Sequence, residues 1–144
     1  MAIEAQKSFL FWSTTTSLAT VIEIGEVTGF NGPTGSANVI DVTHLQSTAK
    51  EKMIGLRDEG QLTLDCNCVP GNSGQVKLRE CRAARTQGHW AIKLSDTAIT
   101  HGITLIDSHG YVSGFAVSGS VDNKVNLSVT IEITGGVTWS TVAT

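Results

Sequence analysis

The sequence predicts a mainly β fold: two packed antiparallel sheets, as a sandwich or a flattened barrel, flanked by one α-helix. Three observations carry this. Residues 125–133 alternate without a break, Val125, Leu127, Val129, Ile131 and Ile133 against Asn126, Ser128, Thr130 and Glu132, which is the period of a half-buried strand. Shorter alternating runs recur upstream, separated by clusters of Gly, Pro, Asn and Ser. A single stretch, between Asn72 and Gly88, combines helical spacing with a start and a stop signal. At 144 residues the chain is about the size of one domain, so residues 1–144 are read as one packed unit.

The elements follow in order. The start, MAIEAQKSFLFWSTTTS, has one lysine and an apolar patch from Phe9 to Trp12 that is shorter than a signal-peptide core; residues 1–17 are read as an N-terminal arm. No segment approaches the apolar run of about 18 residues that a membrane span needs, and a chain made and kept in a cytosol is expected. Leu18 to Phe30 is rich in β-branched residues and reads as a strand, and NGPTG after it as a turn. SANVIDVTH is a second strand. Residues 45–59 show neither period and read as a loop of about fifteen residues, where compact domains prefer about four to six.

GQLTLDCNCV puts Leu62, Leu64, Cys66 and Cys68 on one face and Thr63, Asp65 and Asn67 on the other. The helix takes Asn72 or Ser73 as N-cap and Gly88 as its stop, with Leu78 and Cys81 toward the core. HWAIKLSD turns Trp90, Ile92 and Leu94 inward. GITLIDSHGYVSGFAVSG reads as two strands joined by a hairpin turn at residues 107–110. The last strand runs for about twelve residues, twice the usual five or six, and residues 135–144 are a C-terminal tail. The total is about seven strands and one helix.

Composition narrows the function. Charged residues make up 16% and the net charge is −3, so the basic footprint of a sequence-reading nucleic-acid binder is missing. Three cysteines in a chain without an export signal are expected to be reduced, and Cys66, Cys68 and Cys81 are one ligand short of a structural zinc site, with core packing the plainer role. His44, His89, His101 and His109 are scattered, no Gly-x-Ser-x-Gly elbow is present, and GFNGPTG lacks the lysine and following helix of a phosphate loop. Neither catalysis nor a cofactor or metal is expected.

Two features ask for another explanation. The polar face of the last strand, Asn126, Ser128, Thr130 and Glu132, can line a water-filled channel if many copies stand side by side, or be an ordinary solvated surface. The loop carries Met53, Ile54 and Leu56 between Lys50-Glu51-Lys52 and Arg57-Asp58-Glu59, and these apolar residues need cover from a neighbouring subunit or from the domain's own sheet.

Taken together, GPTGSANVIDVTHLQSTAKEKMIGLRDEGQLTLDCN, a short helix, and GFAVSGSVDNKVNLSVTIEITGGVTWS closely resemble the major tail tube proteins of long-tailed, lambda-like bacteriophages over about residues 20–140. The resemblance rests on Asp-Val-Thr followed by Ser-Thr and Gly-Leu in the strand and long loop. It also rests on an aspartate-lysine turn leading into the closing strand with its Thr-Gly-x-x-Thr-Trp end. Val137 stands where proline is common in that family, and the two cysteines of residues 66–68 occupy a strand that often carries aliphatic or polar residues. The resemblance implies a structural virion protein whose sheets join in hexameric rings, the rings stacking into a hollow tube around a tape measure protein. Its other implied partners are a tail terminator, baseplate or tail-tip proteins, and genome DNA passing non-specifically through the lumen.

On that footing Leu45, Lys50, Lys52, Met53, Ile54, Leu56, Arg57 and Asp58 are expected to form an assembly arm. Phe9, Phe11, Trp12 and Trp139 are expected to make inter-ring contacts, and Asn126, Ser128, Thr130 and Glu132 to face the lumen. The location is then the virion, and the host cytoplasm during assembly. The competing reading is a small β-sandwich binding or decoration module of the tail or baseplate.

Overall fold

Residues 126–142 form one strand flanked on both sides, and the rest of the fold is organised around it. The computed structural model describes residues 8–13, 22–94 and 103–142, and the elements named below lie within them. They are β1 (Phe9–Ser13), β2 (Ile22–Glu23), β3 (Val27–Asn31), β4 (Ser36–Asp41), β5 (Lys52–Asp58), β6 (Gln61–Asn67), α1 (Ser73–Ala84), β7 (Gly88–Lys93), β8 (Ile103–Ser118) and β9 (Asn126–Val142). Seven strands make an antiparallel sheet in the order β2-β1-β7-β8-β9-β6-β3, and β4 with β5 makes a second sheet of two.

The edge strands of the large sheet, β2 and β3, are consecutive in the chain, with only Ile24, Gly25 and Glu26 between them. A sheet whose opposite edges are joined by three residues cannot lie open; it curls into a flattened barrel. The corner is bonded to the strands next to both edges, Ile24 N donating to Leu10 O of β1 and Asn67 N of β6 to Glu26 O, each at 2.9 Å.

The inner face carries the predicted alternation. Leu62, Leu64 and Cys66 of β6 and Leu127, Val129 and Ile131 of β9 are buried, and the register sets Leu62 opposite Ile131, Leu64 opposite Val129 and Cys66 opposite Leu127. Trp12 lies opposite Trp90, and Leu10 opposite Ile92. Each such side chain contributes about 1.5–3 kcal/mol when fully buried. Helix α1 adds Leu78 and Cys81 to this core, and the Trp12 indole N–H donates to Cys81 Sγ at 3.3 Å.

Two polar side chains of the helix N-terminus hold the corner. Asn72 Oδ1 accepts from Gly74 N and Gln75 N as N-cap, and also from Gly25 N at 3.3 Å. The buried Gln75 spends all of its main bonds on backbone: Oε1 accepts from Val69 N at 2.9 Å, while Nε2 donates to Gly25 O at 3.0 Å and to Asn67 O at 2.9 Å. The short helix thus pins the β2–β3 corner to the end of β6.

Several elements differ from the expectation, each for a physical reason. The stretch predicted as one strand up to Phe30 breaks at the Gly25-Glu26 corner, where Glu26 has φ +53°, and residues 18–21 lie outside the described residues. Residues 45–59 are not all loop: β5 pairs with β4, setting Met53 opposite Ile40 and Ile54 opposite Val39. The helix ends at Arg85 in a left-handed conformation rather than at Gly88. Gly88 instead lies against Trp12, whose ring stands 2.1 Å from where a Cβ would be.

Residues 107–110 are no turn; β8 is one strand, and the small residues there serve packing. Ile131 Cγ2 lies 2.7 Å from a Cβ position on Gly110, and Ser108 Oγ donates to Gly136 O at 2.8 Å. The last strand absorbs most of the expected tail, extending to Val142 through an irregularity at Gly135, where φ is +81°. Of the expected N-terminal arm, residues 9–13 form β1, inside the sheet; residues 1–7 and 14–17 lie outside the described residues.

Candidate assembly surfaces

The β4–β5 hairpin stands apart from the barrel, and its sequence explains why it cannot hide its apolar residues. Val39 with Ile40 and Met53 with Ile54 are apolar neighbours in short strands. Alternation therefore sends Val39 and Ile54 to one face and Ile40 and Met53 to the other. A two-stranded ribbon has no interior. All four are exposed, and so are Val42 and Leu56, the latter at 96% beside a register shift. Apolar side chains thus stand exposed on both faces of one projection, the kind of surface that marks an interaction site.

The tip of the hairpin is ordered by its own polar groups. Thr43 N donates to Asp41 Oδ1, Glu51 N to Thr43 Oγ1, Ser47 Oγ to Glu51 Oε2, and His44 Nε2 stands 3.4 Å from the same Glu51 oxygen. The two hydrogen bonds from Thr43 hold the Asp41 carboxyl below its usual range. This network presents Leu45 at the apex, 105% exposed. Lys50 and Lys52 flank the rising strand, and Arg57 and Asp58 close it, with Arg57 Nε 3.6 Å from Glu59 Oε1. The eight expected arm residues therefore share one projection. Sequence reasoning read β4 as a strand but did not count it in the arm; the signal was present in the adjacent Val39-Ile40, which no one-sided strand accommodates.

The second surface is the outer face of β8, β9 and β6. Four cross-strand rows line it: Ser118–Asn126–Asn67, Ala116–Ser128–Asp65, Gly114–Thr130–Thr63 and Tyr111–Glu132–Gln61. Asn126, Ser128, Thr130 and Glu132 lie together on it as expected, and β6 and β8 extend it. Gln61 Nε2 donates to Glu132 Oε1 across the strands, and Ser113 Oγ donates to Thr130 O at 3.2 Å. These three strands contain no lysine or arginine, while Asp65 and Glu132 carry negative charge on this face.

The aromatic residues separate. Trp139 is exposed at 64% and Phe9 at 41%, toward the end of the sheet away from the β8–β9 turn, and Phe9 packs against the half-buried Phe11 with ring centroids 6.4 Å apart. Trp12 does not meet the expectation of a surface contact: it is 0% exposed, and its indole is spent on the core. The alternation of β1 points Trp12 inward while Phe9 and Phe11 point outward.

Cys66, Ser13 and His89 are buried within the sheet. Burial, then the neighbouring Asp65 and Cys68 charges, push the Cys66 thiol up to about 11 from 9.0. Ser13, His89 and Asp107 lie on neighbouring strands, with His89 Nε2 2.9 Å from Asp107 Oδ2, but Ser13 is 1% exposed and His89 6%. A buried serine offers no nucleophile to a substrate. Among the described residues no group of three or more His, Cys, Asp or Glu is placed to hold a metal.

The family model described as "Phage tail tube, TTP, lambda-like" matches residues 1–143. Structural protein 3 of Pseudomonas phage PAJU2 is 24% identical over 131 residues, 80% of each chain. The SPP1 tail tube is similar in fold, with a TM-score of 0.77 at 10% identity over 99% of this chain and 81% of that one. The tail of an empty gene transfer agent (GTA) particle, refined with C6 symmetry, gives 0.73 at 12% identity over 96% and 99%. The sheath–tube complex of an extracellular contractile injection system in the extended state gives 0.72 at 14% identity over 98% and 93%.

Proposed function

The chain belongs to the lambda-like phage tail tube family, structural proteins of the virion that build a tube, and we propose that its copies join in hexameric rings that stack into the hollow tail through which DNA passes. The observation that carries this reading is the β4–β5 arm, apolar on both faces and outside the barrel's own core. A neighbouring copy on each side covers what the isolated subunit leaves in water. The apolar residues of both strands then form the buried centre of that contact, and Lys50, Lys52, Arg57 and Asp58 its charged rim. Phe9 and Trp139 serve the contact between successive rings.

The polar face of β6, β8 and β9 faces the bore. A phosphate backbone gains affinity by exchanging condensed counterions for lysine and arginine. A wall without either, carrying Asp65 and Glu132, gives DNA no place to stick while keeping the bore wet. The further partners on this reading are a tape measure protein in the lumen, a terminator and tail-tip or baseplate proteins, with assembly in the host cytoplasm.

The test replaces residues 36–58 by a short turn. The expected product is a folded monomer by circular dichroism and size-exclusion chromatography that makes no rings or tubes in negative-stain electron microscopy, under conditions where the intact chain does. Tubes of normal diameter from the shortened chain would remove the arm from the assembly mechanism.

A further inference from the structure

The hairpin arm has no core of its own; it leaves the barrel at residues 32–35 and returns at residues 59–60, and beside these crossings Arg57 of β5 lies against β9, its Nη2 3.3 Å from a Cβ position on Gly136. These crossings are built against each other. Gly32 has φ +116° and Gly60 φ +75°. A Cβ on Gly60 would stand 2.4 Å from Thr34 Oγ1, and one on Gly32 would stand 2.4 Å from Gln61 O, so no side chain fits between them. Hydrogen bonds close the bracket: Thr34 Oγ1 accepts from Gln61 N at 3.2 Å and Asp58 Oδ1 from Gly60 N at 2.9 Å. On its far side Gly60 O accepts from Ile133 N at 3.1 Å, which ties the bracket to β9.

We infer that Thr34 is a positioning residue for assembly: its hydroxyl, bonded to the Gln61 amide across the root of the arm, sets the angle at which the arm reaches a neighbouring copy. The inference rests on the reading of the arm as the contact between copies. An arm held at one angle arrives oriented, whereas a swinging arm must lose that freedom on docking and binds more weakly for the same contacts. The NGPTG cluster is then not a plain turn but one jaw of this bracket, with Glu59-Gly60 as the other.

The test compares Thr34→Val, which keeps the shape and removes the acceptor, with Thr34→Ser, which restores it. Thr34 is exposed, so the melting temperature of the barrel should not move in either variant. In unassembled Thr34→Val, amide hydrogen exchange along β4 and β5 should quicken. The protein concentration needed for tubes should rise about three- to tenfold, the scale of one such hydrogen bond, and Thr34→Ser should return both readouts to the parent values. Thr34→Val tubes at the parent concentration, from a protein whose arm-shortened form makes none, would overturn the positioning role and leave the arm reading standing. Normal tubes from the arm-shortened form would overturn both.

Discussion

Replacing Gln75 tests the closure of the barrel at its most exacting point. The side chain bonds Val69 N, Gly25 O and Asn67 O, three backbone groups from the β6–α1 connection, the β2–β3 corner and the end of β6. Leucine fills nearly the same volume and meets none of them. Orphaning a buried polar group costs about 1–3 kcal/mol; these bonds are only part-buried, so the low end applies and three losses sum to about 3 kcal/mol. The added apolar burial returns about 1 kcal/mol. Gln75→Leu is therefore expected to lose about 2 kcal/mol in urea unfolding, a fall of about 6 °C in melting temperature for a domain of this size. Gln75→Glu is the sharper variant, since it aims a carboxylate oxygen at the two carbonyls that the amide N–H groups now satisfy. The expected order at neutral pH is parent, then Leu, then Glu, and a Glu variant as stable as the parent would refute the corner-pinning role.

Three further outcomes follow from the geometry. Gly88→Ala puts a methyl into the Trp12 ring and should cost about 1–3 kcal/mol as an overpacked core, read by the same unfolding curves. The raised Cys66 thiol, at about 11 against 9.0, means the folded state holds this proton longer than the unfolded chain. Stability from this group is full below about pH 9 and is lost as pH rises through 11, so melting temperature should fall across that window and Cys66→Ser should flatten the fall. Glu132→Lys introduces a cation to the polar face and removes the carboxylate that Gln61 bonds. Tubes should still form, and DNA ejection from virions carrying them should slow and become salt-sensitive; ejection at the parent rate would move Glu132 out of the bore.

The fold was legible where side chains report a face. Leu62, Leu64 and Cys66, and Leu127, Val129 and Ile131, alternate in the sequence because one side of each strand is dry, and they are the barrel's inner wall. The helix was legible from Asn72 and its spacing. What misled was small residues with two meanings. Asp107-Ser-His-Gly110 has the composition of a turn, yet Gly110 is small because Ile131 presses on it, and Gly88 because Trp12 does. Such reasons lie across strands and leave no local trace.

β5 was missed for the opposite cause, since a ribbon exposed on both faces shows no alternation to read. The face of Asn126, Ser128, Thr130 and Glu132 was visible in one strand. Its breadth over β6 and β8 depended on pairings between residues far apart in the chain.

The place of β9 in the sheet carries a consequence for synthesis. It follows every other described element in the chain and yet lies between β8 and β6, in the interior of the sheet order. Before it emerges, β6 and β3 have no link through the sheet to β8, β7 and β1, and the inner wall lacks Leu127, Val129 and Ile131. A nascent chain can make its hairpin arm early, but not the barrel to which the arm is anchored through Ile133. The order of the strands thus defers closure of the barrel until β9 has been made, the last of the described elements to leave the ribosome.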